Sequence, residues 1–387
     1  MVASCGPMDA AVTTQPIWPL PPPRPALPPP SRADVVVVGG GITGVSTLRW
    51  LQRRGVDAVL LERSRLAAGA SGRNAGFLLM GVAANYAMAV RSYGRDVARE
   101  VWDFTAHNHA LLAEVLQGRA GYLRRGSLSL AASNEERDLL RQSAELLAED
   151  SLPGRHVPLG ALLNEDDGEV DPAAAVACIA GSCGEAARIC EGVAVHGVEA
   201  SAGEVRVHTS HGEILAGAVI LATNAYTAAL APSVAIAPVR AQMLATAPVD
   251  ARIAARPTYS HWGYRYWRQR DDGRVLLGGW RDTAVLEEVG TDAVPNPRVQ
   301  AHLDAHLAAL DVAAPVTHRW AGIMGFSPDE LPLVGAVPGM PGVHVCGGYT
   351  GHGMGFAVNA TRVLVDSVLD GAPIPPWLRA DRLPARR

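Results

Sequence analysis

The sequence predicts an α/β protein in which a mostly parallel sheet is interrupted by a second, mainly antiparallel sheet inserted discontinuously. Three observations predict it. Apolar runs follow Asp34, span Ala58 to Leu61 and recur far downstream at Ala218 to Ala222; parallel strands covered by helices lose the polar alternation of half-exposed strands and look like this. Glycine-rich turns lead from strand to helix at Gly39 to Gly44 and again at Gly347 to Gly355. Between them, residues 236–277 read as antiparallel strands, with Asp271-Asp272-Gly273 as a hairpin turn.

The first unit is the most informative. Asp34 and four valines form a buried strand, and Gly39-Gly40-Gly41-Ile42-Thr43-Gly44 supplies G-x-G-x-x-G. Gly39 makes the tight turn, Gly41 allows close approach of backbone to a pyrophosphate, and Gly44 allows helix to pack on sheet. A helix from Ile42 to Arg54 would aim its amide groups and positive dipole end at that phosphate. The second strand ends at Glu62, where a carboxylate accepts from ribose hydroxyls. An acid there disfavours a 2′-phosphate, leaving FAD or NAD as the dinucleotide.

Composition narrows the setting. With 387 residues, 48% of them hydrophobic, the chain can build two joined domains, and a net charge of -4 points away from nucleic acid. All 34 basic residues are arginine, so no lysine can act in the site. The five cysteines, Cys5, Cys178, Cys183, Cys190 and Cys346, have neither disulfide-framework nor zinc spacing, which suits a cytoplasmic protein without a metal site. No run of about eighteen apolar residues marks a membrane span. Residues 16–30, PIWPLPPPRPALPPP, form an extended arm that drapes over its own domain with Trp18 as anchor, and the chain before Pro16 is expected to be unstructured.

The small-residue stretch Ser71-Gly72-Arg73-Asn74-Ala75-Gly76 exposes backbone to a cofactor. Helical patterns follow from Ala83 to Leu116, broken near Gly94, and from Asn134 to Glu149 with Asn134 as N-cap, with a strand at Gly126 to Ala132 between them. A helix from Pro172 to about Gly184 precedes strands at Val193 to Glu199, Glu204 to Thr209 and Ala218 to Ala222. The hairpin around 260–277 concentrates aromatics; alternation puts Tyr264 and Tyr266 on one face, Arg265 and Trp267 on the other. Pro295 to Leu310 is a helix and Thr317 to Gly325 a strand. The second glycine turn, ending Tyr349-Thr350-Gly351-His352-Gly353-Met354-Gly355, has no acid-ended strand after it, so its helix end suits a reducible ring instead of a second nucleotide.

DVVVVGGGITG with Glu62, ASGRNAG, VILATNAYT, DDGRVLLGG, SPDELPLVG and GGYTGHGMGFA, in this order, resemble the FAD-dependent D-amino-acid oxidase superfamily over residues 32–371. Glycine oxidase, sarcosine oxidase and the gamma-glutamylputrescine oxidoreductases belong to it, and the arm with SGRNAG and GYTGHGMGFA looks most like the last. The resemblance implies a Rossmann-like FAD-binding domain (34–82, 155–232 and 325–371), a substrate domain (83–154 and 233–324), an arm at 1–33 and a tail at 372–387. It places Gly39, Gly41, Ile42, Thr43 and Gly44 at the pyrophosphate, and Glu62 and Arg63 by the ribose. Ser71, Gly72, Arg73, Asn74 and Gly76 follow the pyrophosphate, ribityl chain and ring; Val195 meets adenine, and Ala222 and Thr223 close the nucleotide site. Gly351, His352, Gly353 and Met354 lie at the pyrimidine end of the flavin.

Departures shape the expected chemistry. Gly322 stands where sarcosine oxidases carry the flavin-linked cysteine, so FAD is expected to be noncovalent. Gly355 replaces a substrate-holding lysine, and Met324 the arginine that holds the carboxylate in amino-acid oxidases. These changes favour an amine over a simple α-amino acid unless Arg265, Arg281 or Arg240 supplies a replacement. The expected reaction is oxidation of a primary or secondary amine, or amino acid, to an imine by hydride transfer to flavin N5. Hydrolysis then gives a carbonyl product, and dioxygen reoxidises the flavin to give hydrogen peroxide. His352, Tyr264, Tyr266, Trp267 and Tyr349 are the candidate pocket residues. An amino-acid dehydrogenase feeding a quinone or carrier, a non-catalytic flavin-binding protein and a nicotinamide dehydrogenase are the competing readings. Substrate identity, stereochemistry and oligomeric state are not written in these motifs.

Overall fold

The computed structural model describes residues 12–184, 187–201 and 203–383. Strand β1 (Arg32–Val38), helix α1 (Ile42–Arg53) and strand β2 (Ala58–Glu62) form the expected unit. β1 lies within an eight-stranded sheet whose main path runs Leu333–Ala336, Val343–Gly347, Gly212–Leu221, β1, β2, Arg188–Glu191. Neighbours on this path are parallel except Leu333–Ala336, which is antiparallel to Val343–Gly347. Val35–Val38 pair with Ala218–Leu221 on one side and Ala58–Leu61 on the other. Three apolar runs thus lie side by side, with Val36, Val37, Leu60 and Ile220 wholly buried.

Strand Gly212–Leu221 begins earlier than the apolar run suggested. Its polar first half pairs antiparallel with Glu204–Thr209, which pairs in turn with Val195–Ser201. Helix α1 packs between helices Gly353–Asp370 and Pro172–Gly181, so the two glycine turns end up beneath neighbouring helices.

The second sheet runs Val316–Phe326, Ala237–Pro248, Arg274–Gly279, Arg265–Gln269, Thr258–Ser260, Ser127–Leu130, Ala161–Asn164, Arg155–Val157. Every pairing is antiparallel except Thr258–Ser260 with Ser127–Leu130. Its last two strands correct the expected partition, because the chain rejoins the nucleotide half only after Asn164, not at residue 155. Short half-exposed strands carry the same alternation whichever sheet they join, and only pairing with Ser127–Leu130 decides.

Two smaller expectations are corrected. Ser133, not Asn134, caps the helix Asn134–Glu149; its side chain accepts from the Glu136 amide at 3.1 Å. Thr13 is not loose chain: its amide donates to the Thr317 carbonyl at 3.1 Å and its carbonyl accepts from the Arg319 amide at 2.9 Å. Residues 1–11, with Cys5, and 384–387 of the tail lie outside the described residues. Among the described residues no helix is long and apolar enough to cross a membrane.

Candidate active site

The glycines of the first turn are spaced by contacts that no side chain could survive. A Cβ on Gly44 would stand 1.8 Å from the Gly39 carbonyl oxygen, and one on Gly39, at φ +111°, would be 2.7 Å from the Ala222 oxygen. At Gly41 it would meet Ser71 Oγ at 2.8 Å, the same oxygen that accepts from the Ile42 amide at the start of α1. Glu62 braces the turn from below, accepting from the amides of Gly40 at 2.6 Å and Ser64 at 2.8 Å. Burial raises its pKa, and these two bonds oppose the rise.

A cavity of about 1090 Å³ begins at this cradle and ends among Tyr259, Tyr266 and His352. That exceeds the roughly 300–1,000 Å³ of a single small-molecule site, as a cavity shared by cofactor and substrate requires. The residues present fit FAD: a glycine turn too tight for any Cβ, a helix N-terminus and a brace acid at one end, an apolar chamber at the other. Of the residues expected to meet the cofactor, all line this cavity except Gly44, Gly72 and Gly76. Those three serve packing: Gly72 backs onto the Ala67 carbonyl, and Gly76, at φ +74°, onto the Val170 carbonyl.

The chamber is walled by Phe77, Tyr259 and Tyr266, whose ring centroids lie 5.4 to 6.1 Å apart. Burial pushes the Tyr266 hydroxyl up to about 12 and the Tyr259 hydroxyl higher, so both remain neutral. His352 sits at the N-terminus of helix Gly353–Asp370 with its ring 6.2 Å from that of Tyr259. Both ring nitrogens are buried without a hydrogen-bond partner among the described residues, and burial lowers its pKa to about 4, leaving a neutral imidazole that can donate or accept. Tyr349 also borders the cavity, but its hydroxyl is engaged by Thr43 Oγ1 at 3.0 Å and Cys346 Sγ at 3.2 Å, tying the two glycine turns together.

Trp267 is corrected. It points to the opposite face of the sheet, in the core with Leu244, Leu277 and Leu303, its ring 5.1 Å from that of His306. Successive side chains of Arg265–Gln269 leave opposite faces of the sheet, so Tyr266 faces the cavity and Trp267 the core behind it.

Of the three arginines that could replace the missing charge, only Arg281 lines the cavity. Arg265 is bidentate to Asp282 at 2.6 and 3.0 Å and stacked 3.5 Å over Trp280. Arg240 donates to the carbonyls of Asp292 and Glu287. The Arg281 guanidinium lies 5.2 Å from the Tyr264 ring and 5.0 Å from the Phe326 ring, with no ion pair or side-chain hydrogen bond among the described residues. Position 355 could not hold a lysine, since even a Cβ there would be 2.6 Å from the Leu79 carbonyl oxygen. At Gly322 a Cβ would stand 3.2 Å from that of Arg73.

Sequence reasoning missed several lining residues. Trp262 enters the cavity wall from a turn in which His261 and Trp262 both have positive φ, 53° and 58°, with Glu136 accepting from the Trp262 amide at 2.8 Å. Such backbone is costly for bulky residues and persists because its surroundings hold it. Tyr259 was hidden by its position in a strand of three residues. The acidic composition of Glu165-Asp166-Asp167 by itself suggests a solvated loop, yet Asp167 is 4% exposed, accepting from the Met80 amide at 2.9 Å and bonded to Ser127 Oγ at 2.5 Å.

Burial raises Asp167 to about 7. In the unfolded chain the group ionises near 3.9, so the stabilisation it gives is complete below about pH 4 and is lost as pH rises through 7. Asp167→Asn keeps the acceptor for Met80 and removes the ionisation. The variant's melting temperature should vary less between pH 4 and 8 than that of the wild type, with a gain of order 2 kcal/mol at pH 8. Parallel melting curves across that window would refute the assignment.

A dinucleotide cradle opening into an apolar chamber defines a dinucleotide-dependent oxidoreductase. A family model for FAD-dependent oxidoreductases, designated DAO, matches residues 34–367, and the chain belongs to this family. Its cofactor is FAD, and the resemblance carried by the sequence motifs holds at this level. Probable oxidoreductase OrdL of Rhizobium meliloti (strain 1021) is 26% identical, with 97% of this chain and 91% of that protein aligned. Gamma-glutamylputrescine oxidoreductase of Escherichia coli (strain K12) is 27% identical over 86% of this chain and 83% of its own length. Among solved structures, glycine oxidase from Geobacillus kaustophilus superposes with a TM-score of 0.75 at 21% identity, covering 89% of this chain and 96% of that one.

Proposed function

We propose that this FAD-dependent oxidoreductase oxidises an amine that carries a carboxylate, taking its CH–NH bond to an imine. Water hydrolyses the imine to a carbonyl compound and an amine or ammonia, and dioxygen is the final acceptor, giving hydrogen peroxide. Bound FAD supplies the two-electron acceptor. The observation that carries the reading is the Arg281 guanidinium, without an ion-pair partner among the described residues, in the same cavity as His352 and the tyrosine wall.

The chain's own residues supply placement and desolvation. An ammonium has no lone pair to assist hydride loss, and the apolar surface of Phe77, Tyr259 and Tyr266 favours the neutral amine over the charged form. The proton leaves to solvent on entry, so no dedicated base is needed. Neutral His352 offers the amine an acceptor nitrogen, and Arg281 offers the carboxylate a planar fork beside the Tyr264 and Phe326 rings. The motifs favour an amine over a simple α-amino acid unless Arg265, Arg281 or Arg240 replaces the charge absent at 324 and 355, and in this reading Arg281 is that replacement.

Anaerobic titration of the purified flavoprotein tests this. Amines bearing a carboxylate should bleach the flavin absorbance, and the same amines lacking it should do so only at much higher concentration. Bleaching by neither class would defeat the reading. The absence of lysine favours a second reading for the last step, in which a quinone or carrier takes the electrons. Substrate-dependent dye reduction without peroxide would mark it.

A further inference from the structure

We infer that residues 13–24 form a strap that retains FAD, with Trp18 as its latch and positioning residue. Trp18 is 2% exposed although the proline-rich segment around it is largely at the surface. Its indole nitrogen donates to the Asn74 carbonyl at 2.7 Å. Asn74 in turn donates through its side chain to the carbonyls of Ala70 and Ser71 and accepts from the Gly76 amide. Ser71 Oγ receives the Ile42 amide at the N-terminus of α1. A continuous chain of bonds therefore runs from the arm to the segment and the helix end that face the cofactor cavity. The indole also lies 5.1 and 4.9 Å from the guanidinium groups of Arg268 and Arg270, and Arg268 donates to the Gly76 carbonyl at 3.1 Å.

The strap is fastened beyond its latch on both sides. Thr13 pairs with the edge strand of the antiparallel sheet at Thr317 and Arg319. Further along, Arg65 bonds to the Pro21 carbonyl. The Arg24 amide donates to Glu191 Oε2 at 3.0 Å, while Glu191 Oε1 holds the Leu66 amide at 2.7 Å. The arm thus spans from the substrate sheet to the nucleotide sheet across residues 62–76. Its prolines keep it extended when undocked, so little conformational freedom is lost on docking. Cofactor release requires segment 62–76 to loosen, and loosening it requires the strap to undock.

The test is FAD retention by the full-length holoenzyme, read as the recovery of flavin fluorescence on dilution. Trp18→Ala should raise the FAD dissociation rate and Kd at least tenfold. Its kcat at saturating FAD should stay unchanged, and the melting temperature of the FAD-stripped protein should fall much less than that of the holoenzyme. Trp18→Phe keeps a ring beside the two arginines without the N–H donor and should be intermediate. Arg65→Met loosens the strap away from the latch, without touching the Trp18 site, and should release FAD about threefold faster. Wild-type release rates in both Trp18→Ala and Arg65→Met would overturn the inference. Equal loss of stability in stripped and loaded Trp18→Ala, with Kd unchanged, would also overturn it by reducing Trp18 to a core residue.

Discussion

Arg281→Met should raise KM for a carboxylate-bearing amine roughly 10- to 100-fold while leaving the same amine without its carboxylate nearly unaffected. The range follows from the 1.5–3 kcal/mol typical of hydrogen bonds to a charged group. Arg281 is the one to remove because its guanidinium has no partner among the described residues beyond the Tyr264 and Phe326 rings, so its loss leaves no buried carboxylate stranded. Arg265 would be a poor probe, since removing it orphans Asp282. A carboxylate bound alike in ground and transition states makes the loss appear in KM more than in kcat. Equal loss on both substrates would mean that Arg281 shapes the chamber and does not read charge.

Gly44→Ala should yield a protein nearly devoid of flavin, with a stability loss of about 3 kcal/mol or more. The added methyl carbon would lie 1.8 Å from the Gly39 carbonyl, with Leu60 Cδ1 at 3.4 Å behind it. Neither neighbour can yield without moving α1 off the turn, and overpacking of this kind, backbone shifts included, typically costs about 1–3 kcal/mol and occasionally more. Gly55→Ala is the control: unlike Gly44 it has positive φ, +70°, and nothing lies within 4 Å of the new Cβ, so the expected cost is about 1 kcal/mol with flavin retained. The ratio of flavin to protein absorbance after purification separates the two. Full flavin content in Gly44→Ala would show that the helix can shift without loss of the cradle.

Where a site residue lies near the glycine turns, its place could be read from sequence, because those turns impose local contacts. Gly39, Gly41 and Glu62 are within one strand-turn-helix-strand unit, and their spacing alone brings them to the cavity. Residues of the chamber come from distant segments. Tyr259 reaches Phe77 and His352 only because a three-residue strand pairs parallel with Ser127–Leu130 and antiparallel with Arg265–Gln269. Asp167 shows the opposite error, where an acidic run suggested solvent and burial between Met80 and Ser127 prevailed. Alternation did separate Tyr266 from Trp267; what it lacked was which face of the sheet met the cavity.

By itself the sequence determined the strand, the glycines and the acid of the nucleotide cradle, the return of the chain to that sheet, and the want of any lysine. Each depends on local backbone geometry or on composition, which need no distant partner. The tertiary structure alone decided that Arg265 and Arg240 are spent on Asp282 and on backbone carbonyls while Arg281 is left in the cavity. It also carried Trp18, 56 residues away in sequence, to the carbonyl of Asn74. Charge and hydrogen bonding are satisfied by whatever group packing brings near, so the arginine free to meet a substrate emerges only once every other partner is in place.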